Sequence, residues 1–395
     1  MRECIAARMQ GVPFSGIRRI MAEAEKLERA GTSVIHLEIG RPDFDTPAHI
    51  KEAAKAALDQ GDVHYTPNLG TLALRRAIAR KLKADNGLDY DPESEVMVTV
   101  GASEGVFLSA AACLNPDEEL LVPDVGWVNY YSVPALVSAR LTTYRVREDQ
   151  GFHPDPGAIA AAVTPRTKML ILCSPGNPTG AVAELSELEG IARVAVDRDL
   201  LVMSDEIYEK LVYDGARHIS IASLPGMRER TILINGFSKA YSMTGWRLGY
   251  MAAPQKLMSA MVKVHQNLTT CAVSFAQAGA VAALEGPQHC VDQMVAEFRR
   301  RRDMLVTALN MIPGVSCVMP RGAFYVFANI RAFGMSSEEM ALYILREAGA
   351  AIVPGTSFGP GGEGYVRISY ANSYDQIQEA TRRIAKALAR LTRAR

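Results

Sequence analysis

Short apolar runs and longer amphipathic segments alternate along the middle of the chain. Seven runs of strand length lie between residues 96 and 252, and segments with apolar residues at every third or fourth position separate most of them. Strands that alternate with helices favour a mainly parallel sheet with helices on both faces, so we predict an α/β fold. The predicted strands are 96–100, 119–122, 141–146, 169–173, 200–204, 231–234 and 248–252.

The last of these strands is connected differently from the others. The segment 235–247 before it is rich in Gly and Ser and is too short for a crossover helix. We therefore expect the strand at 248–252 to run antiparallel to its predecessor.

The pattern changes toward the C-terminus. After about residue 290, a long charged helix, two apolar strands with a helix between them, and a final amphipathic helix predict a smaller α+β domain. We expect the N-terminal segment to join it. The predicted division is 1–45 mainly in the small domain, 46–288 in the large domain and 289–395 in the small domain.

Polar residues follow three consecutive strands of the predicted sheet. Asn177 follows the first of them, Asp205 and Tyr208 follow the second, and Lys239 follows the third. The carboxyl edge of an open α/β sheet is where such folds bind ligands. The sequence therefore predicts an amide, a carboxylate, a phenol and an amine at one edge.

Lys239 and Arg247 lie in the same Gly- and Ser-rich connection. A lysine in such a position can form a Schiff base with an aldehyde, and an arginine can bind a phosphate through its planar donors. An aldehyde and a phosphate on one molecule describe pyridoxal 5'-phosphate (PLP). A nearby carboxylate would keep the pyridine nitrogen of that cofactor protonated.

A second indication of the phosphate site lies where the strand at 96–100 ends. The sequence GASEG at 101–105 offers small residues and the start of a helix, whose free N–H groups can bind a phosphate. Ser103 could donate its hydroxyl to that anion or could simply cap the helix. Glu104 is electrostatically unfavourable beside an anion, so we expect its side chain to point away.

With these motifs in hand, the chain resembles the class I/II (fold type I) PLP-dependent aminotransferases, and most of all their bacterial and archaeal aspartate/aromatic branch. The resemblance extends from GRPDFDTP at 40–47 to YVRISYA at 365–371. It implies a seven-stranded large domain, a smaller α+β domain, and a homodimer with shared active sites. It also implies which residues bind the phosphate: Ala102, Ser103, Ser238, Arg247 and, from the neighbouring subunit, Tyr65.

Other roles follow from the same resemblance. Trp127 occupies the position that stacks on the cofactor ring, although a Trp at a helix start is more often a core residue. Asn177 and Tyr208 correspond to the partners of the ring oxygen, and Asp205 to the partner of the ring nitrogen. The alternative for Tyr65 is a loop aromatic packed on a helix.

Arg367 lies between apolar residues of a predicted strand. A buried arginine is costly unless it meets an anion, and the α-carboxylate of a substrate can accept both of its donors. The resemblance assigns it that role, with the backbone of Gly40 assisting and with Asn177 and Trp127 beside the substrate. The alternative is a structural ion pair or an exposed edge arginine.

The resemblance implies ping-pong transamination, in which Lys239 holds PLP as a Schiff base and then transfers the substrate's α-proton. Asp205 and Tyr208 assist this chemistry. A PLP-dependent lyase, cyclase or oxidase would use the same residues and stays open at this point. A non-enzymatic regulator is disfavoured, because no additional helix-turn-helix domain or basic charge is present.

The composition of the chain limits the classes of partner that we expect it to bind. Of the 395 residues, 48% are hydrophobic and 22% are charged, and the formal net charge is zero, so neither a nucleic acid nor a membrane is an expected partner. The N-terminus has no signal-like apolar region, and the six scattered cysteines suit reduced thiols, so we expect a cytoplasmic protein. No His-rich motif predicts a metal site.

The substrate stays open. Some aspartate-specific relatives supply a lysine at the position of Ser103, and the serine here weakens a pure aspartate assignment. Three segments of mixed polarity are candidates for the side-chain pocket: 12–17, 128–131 and 267–274.

Overall fold

A computed structural model describes residues 4–393 and contains the predicted α/β architecture. Its largest sheet has seven strands in the order β2-β8-β7-β6-β5-β3-β4. All neighbouring pairs are parallel except those of β8, which is antiparallel to both β7 and β2, as its short connection predicted. The strands are β2 Val96–Thr99, β3 Glu119–Asp124, β4 Arg140–Arg145, β5 Thr167–Cys173, β6 Leu201–Asp205, β7 Thr231–Gly236 and β8 Gly249–Ala252.

The central strands are covered on both faces. Every residue of β2, β3, β7 and β8 is buried, whereas four of the six residues of the edge strand β4 are exposed. Continuous apolar runs form buried parallel strands because helices exclude water from both sides. The helices are α1 Gly16–Arg29, α2 Ala48–Asp59, α3 Leu72–Asn86, α4 Ala102–Cys113, α5 Val128–Leu136, α6 Pro156–Ala162, α7 Leu185–Asp197, α8 Gln255–Leu268, α9 Ser274–Glu285, α10 His289–Asn310, α11 Ser337–Ala348 and α12 Tyr374–Arg393.

The C-terminal part builds a second sheet, in the order β12-β13-β10-β9, and a two-stranded sheet that pairs β1 with β11. One hydrophobic cluster joins α1 to α10, α11 and α12, so the N-terminal helix packs with the C-terminal elements. Of the predicted domain ranges, residues 1–3 and 394–395 lie outside the described part. The remaining strands are β1 Ile35–His36, β9 Ser316–Cys317, β10 Tyr325–Asn329, β11 Ala350–Ala351, β12 Val353–Pro354 and β13 Tyr365–Ser369.

Two features of this architecture position the candidate site. The carboxyl ends of β5, β6 and β7 meet at one edge of the large sheet, where residues of β10 and β13 also reach. Helix α4 begins beside that edge, directly after β2. Within residues 4–393, the structure contains no helix of the length and hydrophobicity that crossing a bilayer requires.

Candidate active site

A cavity of about 390 Å³ opens at this edge of the sheet. It brings together every predicted site residue except Tyr65, whose side chain is 87% exposed on the monomer. The predicted residues that line it are Gly40, Ala102, Ser103, Trp127, Asn177, Asp205, Tyr208, Ser238, Lys239, Arg247 and Arg367.

Lys239 lies in the cavity wall after β7 and is partly buried. Its Nζ donates to the carbonyl of Gly40 at 2.6 Å and lies 5.7 Å from the ring centre of Tyr208. Burial, together with the positive charges of Arg367 and Arg247, lowers the pKa of Lys239 to about 8, and the charge of Asp205 opposes this shift. At pH 7 roughly a tenth of the amine is then in its neutral, nucleophilic form, a far larger fraction than for an exposed lysine.

This environment predicts a selective pH dependence for the reactivity of Lys239. In cofactor-free protein, acylation of Lys239 by an amine-reactive ester should reach half its maximal rate near pH 8, because the neutral amine reacts. The matched control is Lys55, which is exposed and whose pKa is raised by its hydrogen bond to Glu52. Peptide mapping by mass spectrometry at each pH would report both sites. Parallel pH profiles for the two lysines would contradict the assigned environment.

Asp205 is the last residue of β6, at the floor of the cavity, and is 4% exposed. The Tyr130 hydroxyl donates to its Oδ2 at 2.5 Å, and the backbone N–H of Ile207 donates to Oδ1 at 3.2 Å. Burial raises the pKa of Asp205, and the Tyr130 hydrogen bond opposes this. No arginine or lysine within residues 4–393 forms an ion pair with this carboxylate. A cationic group bound in the cavity would therefore stabilise its charged form.

Tyr208 and Asn177 lie next to Asp205 in the cavity lining. The hydroxyl of Tyr208 is 2.8 Å from the hydroxyl of Tyr325 in β10, and both rings are buried. The carboxamide oxygen of Asn177 accepts from Nη1 of Arg367 at 3.2 Å. The two residues thus connect the large sheet with strands of the smaller one.

Arg367 is 1% exposed and comes from β13. Besides Asn177, its guanidinium contacts the carbonyl of Glu38 and lies 4.4 Å from the ring centre of Tyr325. Its Nε has no hydrogen-bond partner in the described part of the chain. Burial lowers the pKa of Arg367, the charge of Glu38 opposes this shift, and the two oxygens that accept from the guanidinium are neutral. A buried guanidinium with neutral acceptors is a site that favours an anion.

The predicted anion site forms where β2 turns into α4. The first N–H groups of the helix, those of Ala102 and Ser103, have no acceptor among the residues that the structure describes. Gly101 has a φ of +77°, and a Cβ there would lie 2.5 Å from Nη2 of Arg247. Glycine therefore lets the guanidinium approach the helix start. Arg247 also donates to Oγ of Ser103 at 3.3 Å, which leaves other donors free.

These observations fit the expected cofactor. Free helix N–H groups, a hydroxyl and Arg247 form a phosphate site at one end of the cavity, and the uncompensated carboxylate of Asp205 lies at its floor. Trp127 lines the wall and packs edge-on against Tyr130, with ring centres 5.5 Å apart. Lys239 supplies the amine, and Arg367 supplies a separate anion site. The cavity therefore offers a matching group for each functional part of PLP and for a substrate carboxylate.

Sequence reasoning missed three residues that line the cavity. Tyr130, which donates a hydrogen bond to Asp205, occurs three residues after Trp127, inside the candidate pocket segment 128–131. Tyr325 lies in the apolar strand β10, where the pattern marks it as core. Arg41 is exposed at the cavity and forms no ion pair with any residue from 4 to 393. Its position directly after Gly40 was the available signal.

A separate titratable cluster lies behind the site. Glu206, Glu209 and His218 each have one side-chain atom that could bind a metal ion, and these three atoms lie within 4.8 Å of one another. Nε2 of His218 donates to Oε2 of Glu206 at 2.9 Å, and the ammonium of Lys81 contacts Glu209. Because Lys81 and His218 supply positive charge within the cluster, we assign it to the internal support of β6 and its following turn.

Comparison with known proteins gives consistent results. A family model described as aminotransferase class I and II matches residues 32–384. The chain is 47% identical to an aspartate aminotransferase of Pyrococcus abyssi, over 96% of this chain and 97% of that relative. It is 44% identical to aromatic-amino-acid aminotransferase 2 of Thermococcus litoralis, over 97% and 98% of the two chains. Its fold is similar to that of a solved aspartate aminotransferase from Thermus thermophilus with maleate, with a TM-score of 0.92 and 39% identity over 98% and 100% of the chains.

Proposed function

The chain belongs to the class I and II aminotransferases, which makes it a PLP-dependent transaminase, and on that premise we propose which residues of the cavity perform the reaction and on which substrates. The enzyme transfers an amino group from an L-amino acid to a 2-oxo acid. The observation that carries the proposal is the position of Lys239 between the anion site at Arg247 and the buried guanidinium of Arg367. A lyase, cyclase or oxidase outcome is not favoured, because the similar proteins named above are aminotransferases.

Four residues hold the cofactor phosphate in this proposal. The backbone N–H groups of Ala102 and Ser103, the Ser103 and Ser238 hydroxyls and the Arg247 guanidinium converge at one end of the cavity. The start of α4 adds the positive end of its helix dipole. This end of the site fixes the position of the whole cofactor relative to Lys239.

The cofactor ring would lie between Trp127 and the apolar wall at Ile207. Bound PLP supplies an electron sink that stabilises negative charge at the substrate Cα. Asp205 would keep the ring nitrogen protonated, since a cation there would relieve the cost of its buried carboxylate. Asn177 and Tyr208 donate hydrogen bonds to the ring oxygen.

Arg367 orients the substrate by binding its α-carboxylate, with the backbone of Gly40, Asn177 and Trp127 beside it. The carboxylate replaces neutral acceptors with a charged one, which favours binding in a buried site. Lys239 would hold the cofactor covalently, and its free amine would accept the substrate's α-proton at Nζ. Its lowered pKa suits it to both accept and return that proton.

The proposed substrates follow from the relatives and from the cavity. Similar proteins are named as aspartate and aromatic-amino-acid aminotransferases, so we propose aspartate and the aromatic amino acids as the first amino donors to test. Initial rates measured over a matrix of amino-acid and 2-oxo-acid concentrations test the mechanism. A ping-pong pattern of parallel double-reciprocal lines supports the proposal. Intersecting lines, which require both substrates to be bound at once, would contradict it.

We propose a cytoplasmic homodimer in which Tyr65 of each subunit binds the phosphate in the other. Large apolar or aromatic side chains are exposed on the monomer near this loop and near the cavity, which supports burial by a second copy. The exposed fractions are 102% for Phe14, 58% for Val63, 87% for Tyr65 and 54% for Leu268. We also keep the division into 1–45 and 289–395 around a large domain of 46–288 as a proposal.

Replacing Tyr65 tests the shared site. Tyr65→Phe should leave the molar mass at twice 42.9 kDa. The dissociation constant for PLP should rise about tenfold, because one hydrogen bond to a charged phosphate is lost. Light scattering and cofactor titration measure the two quantities. The control is Tyr343→Phe, whose hydroxyl donates to the carbonyl of Ala387 at 3.0 Å, far from the cavity lining. A monomer that binds PLP with unchanged affinity would contradict the shared site.

A further inference from the structure

Glu104 is a buried acid at the third residue of α4, next to the two residues that offer their N–H groups to the cofactor phosphate. A carboxylate in the first turn of a helix normally binds the same positive end that a phosphate would use. Two anions at one helix start repel each other. The structure resolves this conflict through the direction of the Glu104 side chain.

Both oxygens of Glu104 are turned to other donors. Oε2 accepts from the backbone N–H of Val100 at 2.6 Å. Oε1 accepts from the hydroxyl of Thr269 at 2.7 Å and lies 3.0 Å from Nδ1 of His265. Burial raises the pKa of Glu104, but these hydrogen bonds outweigh burial and leave it below its ordinary value. The side chain is therefore a carboxylate directed away from the cavity, as expected from the sequence.

The contact with Val100 closes a loop around the anion site. Val100 and Glu104 flank the three residues Gly101, Ala102 and Ser103, so the hydrogen bond between them fixes both ends of the turn. Gly249 of β8 packs tightly behind it: a Cβ there would lie 2.5 Å from the Ala102 nitrogen. The turn thus has support from the sheet on one side and from Glu104 on the other.

His265 and Thr269 anchor Glu104 to the end of α8. His265 is fully buried in that helix, and its Nε2 has no hydrogen-bond partner within residues 4–393. Its polar contacts are thus made through Nδ1, to Glu104 and to the Thr269 hydroxyl. A buried imidazole that forms a hydrogen bond with a carboxylate helps to fix the orientation of that carboxylate.

We propose that Glu104, anchored by His265 and Thr269, is a positioning residue that holds the Gly101–Ser103 turn in the conformation that binds the cofactor phosphate. This inference rests on the proposed function of the cavity. The residue does not touch the phosphate. It fixes Val100 and the helix start, so that the N–H groups of Ala102 and Ser103 point into the cavity.

Glu104→Gln tests this role. A glutamine replaces one of the two acceptor oxygens with an NH2 group that only donates, so its two ends cannot accept both from Val100 and from the His265–Thr269 pair. We expect the dissociation constant for PLP, measured by cofactor release on dilution of the holoenzyme, to rise about tenfold. The ³¹P resonance of the bound phosphate should shift, while kcat at saturating PLP stays within about threefold of the parent value.

The matched control is Glu119→Gln. Glu119 is also buried and accepts from Thr164, Thr167 and Arg166, but it lies at the first residue of β3, at the opposite edge of the sheet. This variant should lose stability without a change in the phosphate resonance. If Glu104→Gln does not fold, Thr269→Val removes one donor and should cause a smaller effect in the same direction.

These outcomes distinguish the positioning role of Glu104 from the proposed function of the cavity. Equal effects of Glu104→Gln and Glu119→Gln on PLP affinity, or an unchanged ³¹P resonance in Glu104→Gln, would overturn the positioning role. Failure of the parent enzyme to bind PLP at Lys239 would instead overturn the proposed function itself.

Discussion

Lys239→Ala is expected to lower kcat by at least about 10⁴-fold, because it removes both the covalent attachment of the cofactor and the base that moves the α-proton. The lysine is the one amine in the cavity lining, so no neighbouring side chain within residues 4–393 can replace it there. Steady-state rates at saturating PLP and amino acid measure the loss.

Protein stability separates this loss from misfolding. The buried amine of Lys239 has a lowered pKa, which means that its surroundings disfavour its charge. The alanine variant should therefore unfold at a midpoint no lower than that of the cofactor-free parent. Lys210→Ala serves as the control, because Lys210 forms a half-exposed ion pair with Asp85 at 2.7 Å and such pairs contribute little. Activity of Lys239→Ala within tenfold of the parent would contradict the assignment.

Arg367→Lys is expected to lower kcat/KM for amino acids by about 10²–10³-fold, because a buried, two-pronged contact with the α-carboxylate is lost. An ammonium cannot reproduce the planar fork, and it would leave the carbonyl of Glu38 and Asn177 with poorer donors. The effect should appear mainly in KM, since the interaction is present in the bound substrate.

A substrate without the carboxylate makes the test specific. The parent enzyme should strongly prefer an amino acid to the corresponding decarboxylated amine, and Arg367→Lys should reduce that preference. The control is Arg302→Lys. Arg302 lies in α10, outside the cavity lining, is 2% exposed, and forms an ion pair with Asp214 at 2.7 Å. This substitution should cost stability but leave the preference unchanged. Equal losses for the amine and the amino acid in Arg367→Lys would contradict the role.

The strand pattern of the sequence predicts the seven-stranded sheet. Each of the seven predicted strands exists, with ends shifted by a few residues, because buried strands need continuous apolar runs and the helices between them need amphipathic ones. The antiparallel direction of β8 was also predictable, since its connection is short. The order of the strands was not, because pairing such as β2 with β8 depends on contacts between residues distant in sequence.

Local signals located the predicted site residues, and long-range contacts explain what they missed. Asn177, Asp205 and Lys239 stand at strand ends, where the sheet brings them together. Tyr208 meets Tyr325 across 117 positions, and Glu104 meets His265 across 161. No spacing rule connects such pairs. The sequence pattern predicts that His265 and Tyr325 are core residues, because their polar partners, Glu104 and Tyr208, come close only in the folded chain.

The proposed function requires that the enzyme take one amino group per bound cofactor and then turn over no further until a 2-oxo acid accepts that group. The most direct measurement mixes PLP-loaded enzyme with aspartate, glutamate or aromatic amino acids in the absence of any 2-oxo acid. We expect 2-oxo acid equal in amount to the bound cofactor, no free ammonia, and resumed turnover when a 2-oxo acid is added. Continuous product formation without an acceptor, with release of ammonia or consumption of oxygen, would contradict the proposed function.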